Sequence, residues 1–154
     1  TLNIAEVSMD QLAQYAIPAS VTLNSKGEIY DLRRHLKAGE GDKVETTITP
    51  LVAKLYAVVP QKPVLIVTVP KQVDQGRSMS FSLRTNIDGH LPVFIEVING
   101  RGRSLEYFSG TRFASCDGTS SHLPISLNAA KGTWTIRATN VITGEIIKKN
   151  FEVK

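Results

Sequence analysis

The chain is 154 residues long, 42% hydrophobic and 21% charged, with a formal net charge of +4. That profile fits one globular domain or two very small ones and argues against intrinsic disorder. No apolar run approaches the roughly 20 residues of a membrane-spanning helix. The single cysteine, Cys116, excludes an intramolecular disulfide and a multi-cysteine zinc site.

Thr1-Leu2-Asn3 opens the chain without Met and without a leader pattern, which reads as a processed chain or an excised fragment of a longer protein, the strand-like sequence from Ile4 favouring the fragment. Ile4 to Met9 is strand-like, and Asp10 to Tyr15 suits one helical turn capped by Asp10. Ser20 to Asn24 and Glu28 to Leu32 flank Ser25-Lys26-Gly27, a glycine-containing connection that predicts a hairpin. Arg33 to Gly41 reads as a loop. Lys43 to Thr49 alternates, with Val44, Thr46 and Ile48 on one side, and Leu51 to Val59 reads as a more continuously apolar strand. These elements make residues 1–62 a small β-rich segment.

Pro60-Gln61-Lys62-Pro63 marks a boundary, because closely spaced prolines favour extended backbone and interrupt sheet pairing. Residues 63–154 then offer strands at Val64 to Val69, Ser78 to Thr85, Pro92 to Ile98, Ser104 to Phe108, His122 to Leu127, Thr133 to Thr139 and Ile146 to Val153. Turn signals separate them, among them Asp88-Gly89, Asn99-Gly100, Asp117-Gly118 and Thr143-Gly144. Seven short strands so punctuated predict an all-β fold, an immunoglobulin-like Greek-key β-sandwich preceded by the small β-rich segment. The expected core is Met79, Phe81, Leu83, Val93, Ile95, Val97, Leu127, Trp134, Ile136, Phe151 and Val153.

Charge is unevenly placed. Residues 1–62 balance seven basic against seven acidic side chains, so the whole excess falls in residues 63–154. Arg101, Arg103 and Arg112 form the local cluster, around Asn99-Gly100-Arg101-Gly102-Arg103. Nucleic-acid binding calls for a denser basic stripe with interleaved aromatics. A solvated hairpin tip accounts for these arginines, and neither a nucleic-acid nor a membrane partner is expected.

Two segments carry a family resemblance. Val21 to Asn24 through Glu28 to Arg33, closed by Lys54 to Pro60, resembles a β-rich segment near the C-terminus of large bacterial β-galactosidase-like proteins. Leu123 to Asn128, Gly132 to Ile136 and Thr139 to Glu145 are similar to the Ig-like module that follows it, and to macroglobulin-type modules. The resemblance implies a non-catalytic accessory module of a secreted or periplasmic saccharide-processing protein. Its partners would be neighbouring domains of the same parent chain. The motifs are structural, and no catalytic carboxylate is carried over by them.

Tests for chemistry lead to the same expectation of no catalytic, cofactor or metal site. Glu96 and Glu106 could oppose each other across adjacent strands, as glycoside hydrolysis needs, but both alternate with apolar residues and belong to an outward set. Cys116, Asp117 and His122 lie close in sequence, yet Asp117-Gly118 is a turn and Cys116 reads as a small apolar residue. His35, His90 and His122 are too scattered for zinc, and the acidic loops offer too few oxygens for a tight calcium site. Carbohydrate binding is the main functional competitor, with a polysaccharide as partner and Phe94, Tyr107 and Phe108 as candidate exposed rings. Trp134 leads an apolar strand face and is assigned to the core. A fimbrial or adhesion subunit would need a missing or donated strand; the final strand, Ile146 to Val153, is present in the pattern.

Overall fold

A computed structural model describes residues 12–154 of the chain. The expected strand at Ile4 to Met9 and the cap at Asp10 lie outside the described residues. Contact density divides the chain between Pro60 and Gln61 into two compact units. Among the described residues both are built on β-strands, the first unit with one sheet and the second with two, paired mostly antiparallel.

In the first unit, β1 (Ile17–Asp31), β2 (Leu36–Ile48) and β3 (Tyr56–Val59) form an antiparallel sheet in the order β2-β1-β3. Ile29, Tyr30, Val44 and Val59 are its buried residues. The hairpin expected at Ser25-Lys26-Gly27 is absent, because β1 runs straight through these residues. Its pairing with β2 slips there, from Thr22 opposite Lys43 to Gly27 opposite Gly41. Gly27 serves close approach rather than a turn: a Cβ at this position would run into the Val59 carbonyl of β3.

The turn lies further on, at Leu32 to His35. There Asp31 Oδ1 accepts the backbone N–H groups of Arg33 at 2.9 Å and Arg34 at 3.2 Å, an Asx-type closure. The expected loop from Arg33 to Gly41 is therefore a strand from Leu36 onward. Lys37, Gly39 and Glu40 have weak intrinsic strand preference, but the ladder to Tyr30, Ile29 and Glu28 overrides it. The strand expected over Leu51 to Val59 is confined to Tyr56–Val59. Leu51 adopts a φ of 62° and is exposed, so the chain bends before β3 begins.

The second unit contains β4 (Leu65–Thr68), β5 (Gln72–Val73), β6 (Ser78–Thr85), β7 (Leu91–Ile98), β8 (Gly110–Ala114), β9 (Thr119–Pro124), β10 (Gly132–Asn140) and β11 (Ile146–Val153). One sheet has the order β4-β6-β9 and the other β5-β11-β10-β7-β8. Pairing is antiparallel throughout except between β11 and the short β5. Alternation is strict where the sequence shows it. Met79, Phe81 and Leu83 are buried on β6, Val93, Ile95 and Val97 on β7, and Trp134, Ile136 and Ala138 on β10.

Every expected core residue is buried except Leu127, which is 81% exposed. The strand expected at His122 to Leu127 is displaced to Thr119–Pro124, and Ile125 occupies the last inward position beyond it. Leu127 instead lies over Gly76, where a Cβ would come within 2.5 Å of its Cδ2. Ser104 to Phe108 is not a strand either. Glu106–Phe108 forms a 3-10 turn, closed by Ser109 N donating to Glu106 O at 3.0 Å, and the missing strand is β8.

Candidate functional site

Three loops of the second unit meet around a cleft of about 250 Å3. The first, Asn99 to Arg103, joins β7 to the 3-10 turn. Asn99 Oδ1 accepts the N–H groups of Arg101 at 2.9 Å and Arg103 at 3.0 Å, and Asn99 N donates to Arg103 O at 2.9 Å. Gly102 reverses the chain between the arginines at a φ of 73°, a conformation that favours glycine. Gly100 packs directly on the third loop, since a Cβ there would lie 2.6 Å from Lys131 O.

The 3-10 turn supplies the aromatic wall. Tyr107 and Phe108 stack at a tilt, with ring centroids 4.3 Å apart, and Tyr107 is 76% exposed. Ser109 fixes this turn to the sheet: its Oγ donates to Leu105 O at 3.0 Å and accepts from Val97 N at 3.3 Å. The third loop, Ser126 to Lys131, closes the floor. Trp134 Nε1 donates to Ala130 O at 2.7 Å, and Gln75 Nε2 donates to Ala129 O at 2.6 Å. The cleft is thus lined by Arg101, Arg103, Tyr107 and Phe108, with Asn128 and the edge of Trp134 below.

No carboxylate lines the cleft, and among the described residues neither Arg101 nor Arg103 forms an ion pair. Two cations therefore line the same cleft as an exposed Tyr107 ring backed by a half-buried Phe108. This arrangement can take an anionic group on the guanidinium forks and a flat, weakly polar face on the phenol ring.

Of the rings singled out in the sequence, Tyr107 and Phe108 come together here. Phe94 does not join them. It sits on β7 opposite Thr111 of β8 and Thr139 of β10, and is partly exposed away from the cleft lining. The two arginines and Asn128 were not singled out as binding residues. The arginines' signal is the Asn-Gly-Arg-Gly-Arg turn, which charge alone marks as a solvated tip, and Asn128 carries no signal of its own.

The other chemical candidates part company. Glu96 pairs with Arg137 at 3.2 Å on the sheet, while Glu106 lies in the 3-10 turn, so the two do not face each other across strands. His122 Nδ1 lies 3.1 Å from Ser80 Oγ across β6 and β9, and the Arg84 guanidinium holds the Cys116 carbonyl. His90 makes an edge-on contact with Phe113 at 6.1 Å. Among the described residues, no group of three or more His, Cys, Asp or Glu side chains could hold a metal ion.

The first unit has its own cleft, of about 340 Å3, lined by side chains of both signs including Asp31, Arg34, Glu45 and Lys54. Lys37 also lines it, and its Nζ is held by Glu28 at 3.0 Å and Glu40 at 3.2 Å. Hydrogen bonds to Glu28 and then Glu40 raise the lysine pKa further. Its charge is therefore already engaged, in contrast to the arginines of the second unit.

No protein-family model matches this chain, and no curated protein matches it.

Proposed function

We propose that the chain is a non-catalytic accessory β-module of a larger secreted or periplasmic bacterial protein related to glycoside hydrolases, supporting and orienting neighbouring domains. The observation that carries this reading is the division of the chain into two compact β-rich units, each with buried apolar residues on its strands. In the second unit we read an Ig-like Greek-key sandwich. Consecutive strands β6 and β7 fall in different sheets, as do β9 and β10, and both sheets bury alternate residues. The test compares the larger protein with and without residues 1–154. Lower melting temperature and soluble yield with unchanged kcat/KM on a small soluble glycoside is the expected result. Loss of kcat at unchanged stability, or glycoside turnover by the isolated chain, would overturn the reading.

A second reading, a carbohydrate-binding module, is favoured by the exposed Tyr107 ring beside Phe108 in a cleft with polar neighbours. Saccharide binding by the isolated chain, weakened by Tyr107→Ala at unchanged melting temperature, tests it.

A further inference from the structure

We propose that the cleft between Arg101, Arg103 and Tyr107 binds an anionic saccharide, with the carboxylate or sulfate of one sugar on the two arginines and the ring of that sugar on the phenol face. The inference deepens the carbohydrate-binding reading and rests on it.

Arg101 and Arg103 line a cleft whose lining holds no carboxylate, and among the described residues neither forms an ion pair, whereas Lys37 and Arg137 are engaged with acidic partners. Guanidinium groups take planar oxyanions bidentately, which fixes orientation as well as adding attraction. Their backbone is ordered before any ligand arrives, because Asn99 Oδ1 holds both arginine N–H groups and Gly102 sets the reversal. Such preorganisation reduces the ordering cost of binding.

Tyr107 is too exposed to be a core residue, yet it is backed by Phe108 at 4.3 Å and its turn is fixed to the sheet by Ser109. A fixed ring face suits the C–H face of a pyranose. Asn128 and Ser126, also in the lining, offer donors and acceptors to hydroxyl groups. The volume, about 250 Å3, falls just below the roughly 300–1,000 Å3 of clefts that enclose drug-sized ligands, so one sugar ring fits rather than a long stretch of polymer. A single-stranded nucleic acid would also stack on Tyr107, but it wants a continuous basic groove with successive aromatic platforms, and this cleft is one ring long.

The experiment titrates the full chain with a uronate oligosaccharide, a sulfated oligosaccharide, a neutral oligosaccharide of equal length and oligo-dT. Variants are Arg101→Gln/Arg103→Gln, Tyr107→Ala and, as a control on the outer face of the five-stranded sheet, Lys148→Gln, each checked for an unchanged melting temperature. At least one of the acidic sugars should bind at least tenfold tighter than the neutral one. The double arginine variant should erase that preference, Tyr107→Ala should weaken acidic and neutral sugars alike, and Lys148→Gln should change neither. The uronate and sulfated arms decide which anion is taken. Neutral and acidic sugars bound equally, with loss only in Tyr107→Ala, would overturn the anionic inference and leave carbohydrate binding standing. No binding to any sugar would overturn both. Equal binding to oligo-dT, or equal loss in Lys148→Gln, would show a nonspecific polyanion surface and overturn the inference.

Discussion

Trp134 and Phe151 lie directly opposite each other across β10 and β11, with ring centroids 6.0 Å apart and planes tilted by 50°. Both are buried, and the indole N–H is satisfied by Ala130 O. This pair joins the core of the second unit to the floor of the cleft, since the same indole borders both.

Trp134→Ala should destabilise the second unit by about 3–5 kcal/mol, the usual cost of emptying a large aromatic site. Denaturant unfolding followed by far-ultraviolet circular dichroism measures it. Trp134→Phe should cost less but still register, because it keeps most of the packing and leaves the Ala130 carbonyl without its donor. A loss under about 1 kcal/mol for Trp134→Ala would contradict a core role.

Asn140 is fully buried, and its side chain makes three hydrogen bonds that help define how β10 ends. Its Oδ1 accepts from Ile142 N at 3.0 Å and Thr143 N at 3.3 Å, and its Nδ2 donates to Pro63 O at 3.3 Å. Asn140→Ala strands these partners, at roughly 1–3 kcal/mol for a buried group left unsatisfied. Asn140→Asp keeps the acceptor but turns the donor into a carboxyl facing a carbonyl. Its deficit should grow as pH rises through the carboxyl pKa and shrink in acid, as pH-dependent unfolding midpoints would show.

Tyr30 makes the first unit sensitive to alkali. Burial, then its hydrogen bond to Glu28 at 2.7 Å and the charge of that carboxylate, push the phenol pKa up to about 12. An unfolded tyrosine ionises near 10. The folded state therefore keeps a proton that the unfolded state loses. This contribution is complete below about pH 10 and is lost as pH rises toward about 12. Melting of the wild-type chain across that window should fall more steeply than that of Tyr30→Phe. Parallel profiles would remove Tyr30 as the cause.

Gly27→Ala tests the close approach of β1 and β3. The added methyl meets the Val59 carbonyl, which is backbone and held in the ladder by Glu28 opposite Val59. A cost of about 1–3 kcal/mol follows from overpacking of this kind. Amide hydrogen exchange should localise the loss of protection to Glu28 to Asp31 and Tyr56 to Val59.

Strict alternation was legible wherever one face of a strand is buried. Ser78 to Thr85 and Ile146 to Val153 have the bounds their pattern predicts, because Met79, Phe81 and Leu83, or Phe151 and Val153, can be buried in only one phase. Elements held by pairing rather than by side-chain pattern were not legible. Leu36 to Gly41 is strand only because Tyr30, Ile29 and Glu28 lie opposite, and Gly27 looks like a turn until β3 is beside it. Tyr107 and Phe108 are legible as rings but read as part of a strand, since the segment is curled by a local Ser109 hydroxyl bond to Leu105 O and tied to β7 by a longer-range one from Val97 N, neither of which shows in the alternation pattern.

By itself, then, the sequence determined the all-β class, most of the core and the two aromatic side chains of the cleft, because burial and strand period are written residue by residue. Only the tertiary structure decided that Arg101 and Arg103 share a cleft with Tyr107, and that Phe94 stands apart. Those positions depend on three loops held one by one, the first by Asn99 within its own turn, the second by Ser109 to Val97 of β7 and the third by Trp134 to Ala130, with Gly100 of the first packed against Lys131 of the third, and none of these contacts leaves a periodic signal in the sequence.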